Sequence, residues 1–374
     1  MHDPMTGTRT RPMNFNAGPA ALPAAALERA RDELVNFAGT GISVMEHSHR
    51  GKEYEAVHDE AMTLLRELLS IPNDYEVLFL QGGASTQFAY IPMSFLPKGA
   101  SADYVVTGAW SAKAHAEAAA WSNVAGGTAR VAASMEASRF RRVARPEESD
   151  LDPRATYVHF VSNETIHGVQ YLTLPRFGTA PHVCDMSSDF LSRKVDVSSF
   201  ALIYGGAQKN IGPSGVTVVI AHREFIDEGR KDLPTILQYR SHAASKSLLN
   251  TPPTFGIYLA RNVLRWLKDI GGVDAIEARN RAKAAELYSA LDSSQGFYTC
   301  PVEMGSRSVM NVVFRLPTED LEEKFLGEAK KSSMLGLKGH RSVGGIRASL
   351  YNAVEPEWVS VLAAFVRDFA RKNG

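Results

Sequence analysis

Cysteine is nearly absent from this 374-residue chain, which has only Cys184 and Cys300, far apart and in no Cys-x-x-Cys pair. A zinc ribbon and a thioredoxin-like motif are therefore excluded, and a disulfide scaffold is not expected at this length. The cysteine usage fits a reducing compartment, so we expect a cytoplasmic protein. No apolar run is long enough to cross a bilayer, and residues 1–12 lack the apolar core of a secretory signal, so we expect no membrane partner.

Net charge is also lacking, because 41 Lys and Arg residues balance 41 Asp and Glu residues. A general nucleic-acid binder would carry a positive field, so we expect no nucleic-acid partner, although a local anion pocket is compatible with neutrality. The charge-rich segment SRFRRVARPEESD is balanced in sign and is predicted to be a solvated loop.

Short apolar runs alternate with helical stretches through the first 270 residues. Near-continuous apolar strands separated by helices predict an α/β fold with a mostly parallel central sheet. After Phe255 a long helical block is broken at Gly271–Gly272, and a smaller α+β pattern follows. We predict a disordered lead-in (1–13), a large cofactor-binding domain (14–270) whose N-terminal segment is able to pack on the small domain, and a small C-terminal domain (271–374). The strand-like runs are EVLFL, ADYVVTG, ATYVHFVSN, HVCDMS, FALIYGG and VTVVIAH.

Ligands in α/β sheets collect at the carboxyl ends of the strands, so the residues that follow each strand are the candidates for a site. The segment QGGAST, residues 81–86, opens a helix and is either a phosphate cradle or an ordinary turn. Trp110 follows the next strand and either stacks on a flat ring or belongs to the core. Thr165 is either a donor to a ligand oxygen or a turn residue.

Asp185 and Lys209 follow two further strands. A carboxylate at the end of an apolar run needs a partner, which is either a structural arginine or a protonated ring nitrogen. A lysine in a dry site loses its proton and becomes a nucleophile for carbonyls, whereas the alternative is a capping or surface lysine. An anion-binding turn, an aromatic ring, Thr, Asp and Lys on successive strand ends together predict a pyridoxal phosphate site.

The chain resembles the phosphoserine aminotransferases, which are class V aminotransferases of pyridoxal phosphate fold type I, from about Asn14 to its C-terminus. The resemblance implies this fold, with pyridoxal 5'-phosphate as cofactor and a homodimer with shared active sites. The motifs that carry it are NFNAGPAALP, SHRGKEY, FLQGGAS, TGAWSAKA, NETIHGVQ, DMSSDFLSRKVD, YGGAQKNIGPSGV, NTPPTFGIY and GHRSVGGIRASLYNA.

The resemblance also implies a role for each matching residue at the cofactor. Lys209 would form the Schiff base, Asp185 would pair with the ring nitrogen and Trp110 would stack on the ring. Thr165 would donate to the ring hydroxyl. Some relatives have Gly-Arg at the cradle where this chain has Ala84-Ser85, which leaves backbone N–H groups and the Ser85 hydroxyl as donors here. Phosphate contacts are implied for Ala84, Ser85 and Gln208 and, from the neighbouring subunit, for Asn250 and Thr251.

Substrate contacts are implied for Arg347 and for two His-Arg pairs. Arg347 would bind the substrate α-carboxylate, a task that suits a planar guanidinium. The alternative for the segment EHSHR is a metal site built from His47 and His49, but no HExxH motif is present and we predict no metal. The phosphate-side contacts would be His340 and Arg341, with His49 and Arg50 from the other subunit.

The implied activity is a ping-pong transamination in L-serine biosynthesis. It converts 3-phosphohydroxypyruvate and L-glutamate to O-phospho-L-serine and 2-oxoglutarate. The alternatives are an alanine–glyoxylate aminotransferase or a cysteine desulfurase on the same fold, and a non-catalytic binder of phosphorylated metabolites. A desulfurase needs a reactive cysteine on a mobile loop, but Cys184 lies in a predicted strand, and a binder has no need of Lys209. A second activity in vitamin B6 synthesis, on 3-hydroxy-2-oxo-4-phosphobutanoate, occurs in some relatives and is left open.

Overall fold

The computed structural model describes residues 11–374 and is built on a seven-stranded sheet. The strands of this sheet are β2 (Tyr75–Gln81), β3 (Ser101–Val106), β4 (Thr128–Ser134), β5 (Val158–Val161), β8 (His182–Asp185), β9 (Leu202–Gly206) and β10 (Val216–His222). Their spatial order is β2-β10-β9-β8-β5-β3-β4, and every neighbouring pair is parallel except the two that involve β10. The predicted mostly parallel α/β sheet is therefore confirmed.

Helices cover both faces of this sheet, which explains why its central strands are largely apolar, whereas in the edge strand β4 only Ala132 and Ala133 are buried. Successive residues of a strand face opposite sides, so Val77 and Phe79 join one core cluster whereas Leu78 and Leu80 join another. The helices are α1 (Ala24–Glu33), α2 (Lys52–Leu69), α3 (Gly83–Phe95), α4 (Ala109–Ala125), α5 (Arg223–Glu228), α6 (Tyr239–Ala244), α7 (Thr254–Asp269), α8 (Gly272–Asp292), α9 (Glu319–Lys331) and α10 (Pro356–Asn373).

The C-terminal part has its own hydrophobic cluster, in which Phe314, Phe325 and Val366 are buried. The chain passes into it through α7 and α8, which meet at Gly271, whose φ of 102° lies in the left-handed region that favours glycine. Separate clusters favour two domains, but the division at residues 270 and 271 stays a prediction, because Val273 and Ile276 of α8 pack in the cluster of the sheet. The remaining strands are β1 (Met13–Asn14), β6 (Asn163–Glu164), β7 (Val169–Gln170), β11 (Asn311–Phe314), β12 (Met334–Leu335) and β13 (Ile346–Ser349).

The N-terminal segment is tied to this C-terminal part. Strand β1 pairs in parallel with β12, and Phe15 is fully buried in the C-terminal cluster. A disordered lead-in is predicted for residues 1–13. Residues 1–10 of it lie outside the described residues, whereas Met13 belongs to β1. Within residues 11–374, no helix combines the length and the apolar character needed to cross a membrane.

Candidate active site

A cavity of about 640 Å³ lies where the carboxyl ends of β2, β8 and β9 meet the turns that follow β3 and β5. This is the edge of a parallel sheet where a ligand is expected. The cavity is also lined by residues 17–19 of the N-terminal segment and by Arg347 of β13, which belongs to the C-terminal part. The cavity brings together nine of the residues that the sequence predicts for the site: Ala84, Ser85, Trp110, Thr165, Asp185, Gln208, Lys209, His340 and Arg347.

Lys209 projects from the turn after β9 and is buried. Its Nζ donates a hydrogen bond to Thr165 Oγ1 at 2.8 Å and lies 5.6 Å from the centre of the Trp110 ring. No carboxylate of the described residues lies within 4 Å of this Nζ. Burial lowers the pKa of Lys209 to about 8, although the charges of Asp185 and Glu164 act in the opposite direction. About a tenth of this amine is therefore neutral and nucleophilic at pH 7, far more than for an exposed lysine.

Asp185 ends β8 and is buried. Its Oδ1 accepts hydrogen bonds from Ser187 N at 2.8 Å and Ser187 Oγ at 2.6 Å, whereas Oδ2 has no hydrogen-bond donor in the described part of the chain. Burial raises the pKa of Asp185, because water no longer solvates its charge. A protonated ring nitrogen of a ligand would supply the missing partner for Oδ2 and favour the anion.

The turn between β2 and α3 has the properties of an anion cradle. Gly82 has a φ of 90°, and a Cβ on this residue would overlap the side chain of Thr86, so only glycine fits there. Helix α3 begins at Gly83, and the N–H groups of its first turn, including those of Ala84 and Ser85, have no partner within the helix. Such N–H groups, together with the helix dipole, bind phosphate.

These features meet the requirements of pyridoxal phosphate. A partly neutral lysine can react with its aldehyde, the unpartnered Asp185 Oδ2 can hold its ring nitrogen, and the turn before α3 can hold its phosphate. The ring of Trp110 lines the cavity and offers an aromatic face to the cofactor ring. The residues present therefore fit this cofactor.

Arg347 is available for an anionic substrate. Its Nη1 donates to the carbonyl oxygen of Thr165 at 3.3 Å, its buried Nε has no hydrogen-bond partner among residues 11–374, and no described carboxylate pairs with it. Burial lowers the pKa of Arg347. Partial burial and the positive charges of Arg347 and Arg341 also lower the pKa of His340. Arg347 and His340 therefore make this end of the cavity suitable for binding an anion.

Five of the predicted residues do not line this cavity. Arg341 is exposed beside His340, Arg50 is exposed, and the buried Nε2 of His49 has no hydrogen-bond partner in the described chain. Asn250 lines a separate cavity of about 170 Å³, beside Thr251, whose carbonyl oxygen accepts from Gln81 Nε2 at 3.2 Å. The residues that the resemblance assigns to a second subunit are thus among those that one chain does not bring to its own site.

Three further residues at the site were missed by the sequence reasoning. Ser187 holds Asp185, Glu164 is buried beside Thr165, and the Nζ of Lys113 lies 4.5 Å from the centre of the Trp110 ring. The motif NETIHG placed a carboxylate next to Thr165, but only the fold shows which groups it contacts. Ser187 and Lys113 gave no signal beyond being polar residues close to Asp185 and Trp110 in the sequence.

Comparison with known proteins gives a consistent result. The family model described as aminotransferase class-V matches residues 13–362. The phosphoserine aminotransferase of Niallia circulans is 51% identical over 364 residues, which cover 97% of this chain and 99% of that protein.

Solved structures agree with this match. The phosphoserine aminotransferase from Bacillus circulans subsp. alkalophilus superposes with a TM-score of 0.93 at 51% identity, covering 97% of this chain and 99% of the other. The pyridoxal phosphate-bound phosphoserine aminotransferase from Trichomonas vaginalis gives a TM-score of 0.91 at 36% identity, covering 96% and 100%. Such matches along nearly the whole length leave one conclusion: the chain belongs to the class-V aminotransferase family.

Proposed function

We propose that this chain catalyses the ping-pong transamination of 3-phosphohydroxypyruvate with L-glutamate, giving O-phospho-L-serine and 2-oxoglutarate. The observation that carries the proposal is the cavity in which Lys209, Asp185 and Trp110 meet the unpaired Arg347. The 51% identity to a relative named phosphoserine aminotransferase supports the choice of substrate.

The cofactor is pyridoxal phosphate, held by the turn before α3, Gln208, Trp110, Thr165 and Asp185. When bound, it supplies an aldehyde that exchanges with the amino group and a ring that accepts the electron pair of the broken Cα–H bond. Ser187 fixes the orientation of the Asp185 carboxylate, whose unpartnered Oδ2 would keep the ring nitrogen of the cofactor protonated.

Lys209 moves the reacting proton. Its Nζ accepts the proton from the substrate Cα and later releases it, a task that suits an amine whose pKa is about 8. Thr165 Oγ1 accepts a hydrogen bond from this Nζ and so restricts where the amine can lie. Arg347 binds the α-carboxylate and thereby presents the Cα–H bond to Lys209.

The distal anion of the substrate is either a phosphate or the γ-carboxylate of glutamate. We assign it to His340 and Arg341, completed by His49 and Arg50 of the partner subunit. Several separate donors can accept both anions because charge-assisted hydrogen bonds do not depend on one fixed geometry. The proposed cytoplasmic location is supported by two free thiols, Cys184 and Cys300.

The visible absorption spectrum tests the substrate assignment. The purified holoenzyme is expected to be yellow and to bleach on addition of O-phospho-L-serine, and to bleach more at equal concentration with this substrate than with L-alanine or L-cysteine. L-Glutamate should bleach it too, because it is the other amino donor of the ping-pong cycle. A yellow protein that bleaches with L-alanine but not with O-phospho-L-serine would keep the cofactor and contradict the proposed substrate.

The shared active site of a homodimer also belongs to this proposal. Leu34, Val35, Ile42 and Met45 are between 40% and 75% exposed and lie just before Arg50 in the sequence. Exposed apolar side chains gathered in one short segment favour association. A second copy that covered it would also bring Arg50 close to the boundary between the subunits.

Mixing two inactive variants tests this arrangement. We expect Lys209→Ala and Arg50→Ala subunits, unfolded and refolded together, to regain up to about a quarter of the wild-type sites, since half of randomly paired dimers are mixed and each has one intact site. The matched control mixes Lys209→Ala with Arg347→Ala. These two residues line the same cavity of one chain, so no intact site can form. Equal activity in both mixtures, measured by phosphoserine formation, would exclude an Arg50 contribution from the partner.

A further inference from the structure

Glu164 is a buried carboxylate to which neither the resemblance nor the proposed mechanism gives a role. It lies in β6, directly before Thr165, and is only 1% exposed. Its Oε2 accepts a hydrogen bond from Trp110 N at 2.9 Å, and its Oε1 accepts from Ser111 N at 2.8 Å and Ser111 Oγ at 2.6 Å. No Lys, Arg or His of the described residues forms an ion pair with it. Every hydrogen bond to its carboxylate therefore comes from the first turn of α4.

The start of α4 provides both hydrogen-bond donors and space for the Glu164 carboxylate. The N–H groups of Thr107 and Gly108 donate to Ser111 Oγ at 2.8 and 3.0 Å, so Ser111 links the entering chain to Glu164. A Cβ on Gly108 would overlap the side chain of Glu164, which requires glycine at that position. The unpaired N–H groups and the positive end of the helix dipole stabilise a carboxylate at this end of α4.

The position of the Trp110 ring depends on this turn. The indole Nε1 is buried and has no hydrogen-bond partner within residues 11–374, so no hydrogen bond of the ring itself fixes its orientation. Trp110 is held by the hydrogen bond from its backbone N–H to Glu164, by apolar packing against the cluster beside α4, and by Lys113, whose Nζ lies 4.5 Å from the ring centre. Thr165, the next residue after Glu164, receives the hydrogen bond from Lys209 Nζ. One short segment thus contacts both the aromatic residue and the lysine.

We propose that Glu164 is a positioning residue for cofactor binding, which clamps the first turn of α4 so that Trp110 faces the cofactor and stays in register with Thr165 and Lys209. The inference depends on pyridoxal phosphate binding but not on which amino acid is the substrate. A cofactor-binding assay therefore tests it separately from the proposed transamination.

Burial raises the pKa of Glu164, while the hydrogen bonds from Ser111 and Trp110 favour its charged form, and in that form it has a second consequence, at Lys209. The charged groups around Lys209 are the carboxylates of Asp185, Glu164 and Asp189 and the guanidinium of Arg347. Burial lowers the pKa of Lys209, and each carboxylate raises it. Removing the Glu164 charge lowers this pKa further, so the neutral, reactive amine persists to lower pH. The pH at which cofactor capture reaches half its maximal rate should then move downward.

The experiment compares Glu164→Gln with the wild-type chain after removal of the cofactor. The carboxylate accepts from Trp110 N with Oε2 and from Ser111 N with Oε1, whereas a glutamine amide has only one accepting oxygen, so one of these N–H groups loses its partner. We expect the dissociation constant for pyridoxal phosphate, measured by quenching of tryptophan fluorescence, to rise about tenfold. The pH midpoint of the capture rate should fall at the same time. Ser111→Ala should weaken binding in the same direction by a smaller factor.

Asp103→Asn is the matched control for removing a buried carboxylate. Asp103 is fully buried, accepts from Arg130 Nη1 at 2.9 Å and Asp152 N at 2.7 Å, and does not line the cavity. The Asp103→Asn substitution should lower the thermal unfolding temperature but leave the dissociation constant for pyridoxal phosphate unchanged. The proposal is overturned if Glu164→Gln binds the cofactor within twofold of wild type, or if both variants weaken binding equally. If Glu164→Gln does not fold, unchanged binding in Ser111→Ala overturns it instead.

Discussion

Lys209→Ala is expected to lower kcat/KM by about 10⁴-fold and to yield a colourless protein. The variant loses both the amine that attaches the cofactor and the base that removes the Cα proton, and a general base alone contributes up to about 10⁴-fold. The structure provides no substitute, because within the described residues no other lysine lines the cavity. Steady-state kinetics and the visible spectrum of the purified protein measure the two losses separately.

Two control variants separate this effect from loss of charge or of fold. Lys209→Arg keeps a cation at the site but is not a nucleophile, so it should be as inactive as the alanine variant. Lys268→Ala removes a surface lysine that pairs with Glu67 outside the cavity, and it should retain full activity. A Lys209→Ala protein that still turns yellow and transaminates would contradict the assigned role of this lysine.

Arg347→Ala is expected to lower kcat/KM by roughly 10²-fold for both amino-acid substrates. The guanidinium has no carboxylate partner in the described chain, so its charge is free for the α-carboxylate that all its substrates share. Losing charge-assisted hydrogen bonds to that group removes about 3 kcal/mol of binding. The loss should appear mainly in KM, while the yellow colour and cofactor affinity remain, and initial-rate measurements with glutamate and phosphoserine test both points.

Arg341→Ala is the matched comparison for Arg347→Ala. We assign Arg341 to the distal anion, so this variant should lower kcat/KM more for O-phospho-L-serine, which carries a dianion, than for L-glutamate. Arg347→Lys should recover only part of the loss, since an ammonium cannot form the paired hydrogen bonds of a guanidinium. If Arg347→Ala affected only the phosphorylated substrate, the two arginines would have to exchange roles.

Much of the fold and the centre of the site were predictable because local sequence determines them. Apolar runs marked six of the seven strands, whereas the edge strand β4, in which only Ala132 and Ala133 are buried, was missed. In a parallel sheet the residues after the strands share one edge, so the sequence alone is enough to group Trp110, Asp185 and Lys209. The reversed direction of β10 was not predictable, since its apolar run reads the same in either direction. The helix break at Gly271–Gly272 was predictable from glycine chemistry alone.

Contacts between distant segments could not be read from the sequence. Glu164 is an ordinary polar residue after a strand until the fold places it against the first turn of α4. Arg347 was assigned by resemblance, because nothing local to GGIRASLY indicates that β13 borders the cavity. A single chain also cannot complete contacts with a partner, which is why the roles of Asn250 and Arg50 remain proposals.

The tie between the N-terminal segment and the C-terminal part has a consequence for how the protein matures. Ala17 and Gly18 line the cavity beside Lys209, and the Ala17 carbonyl oxygen accepts from Tyr351 Oη at 2.8 Å. The site thus joins residues that lie 334 positions apart in the sequence, and such long-range contacts form slowly. A ribosome-bound chain lacking β13 cannot close the cavity. Tight cofactor capture should therefore follow the synthesis and docking of β13, so the onset of yellow colour would report the completion of folding.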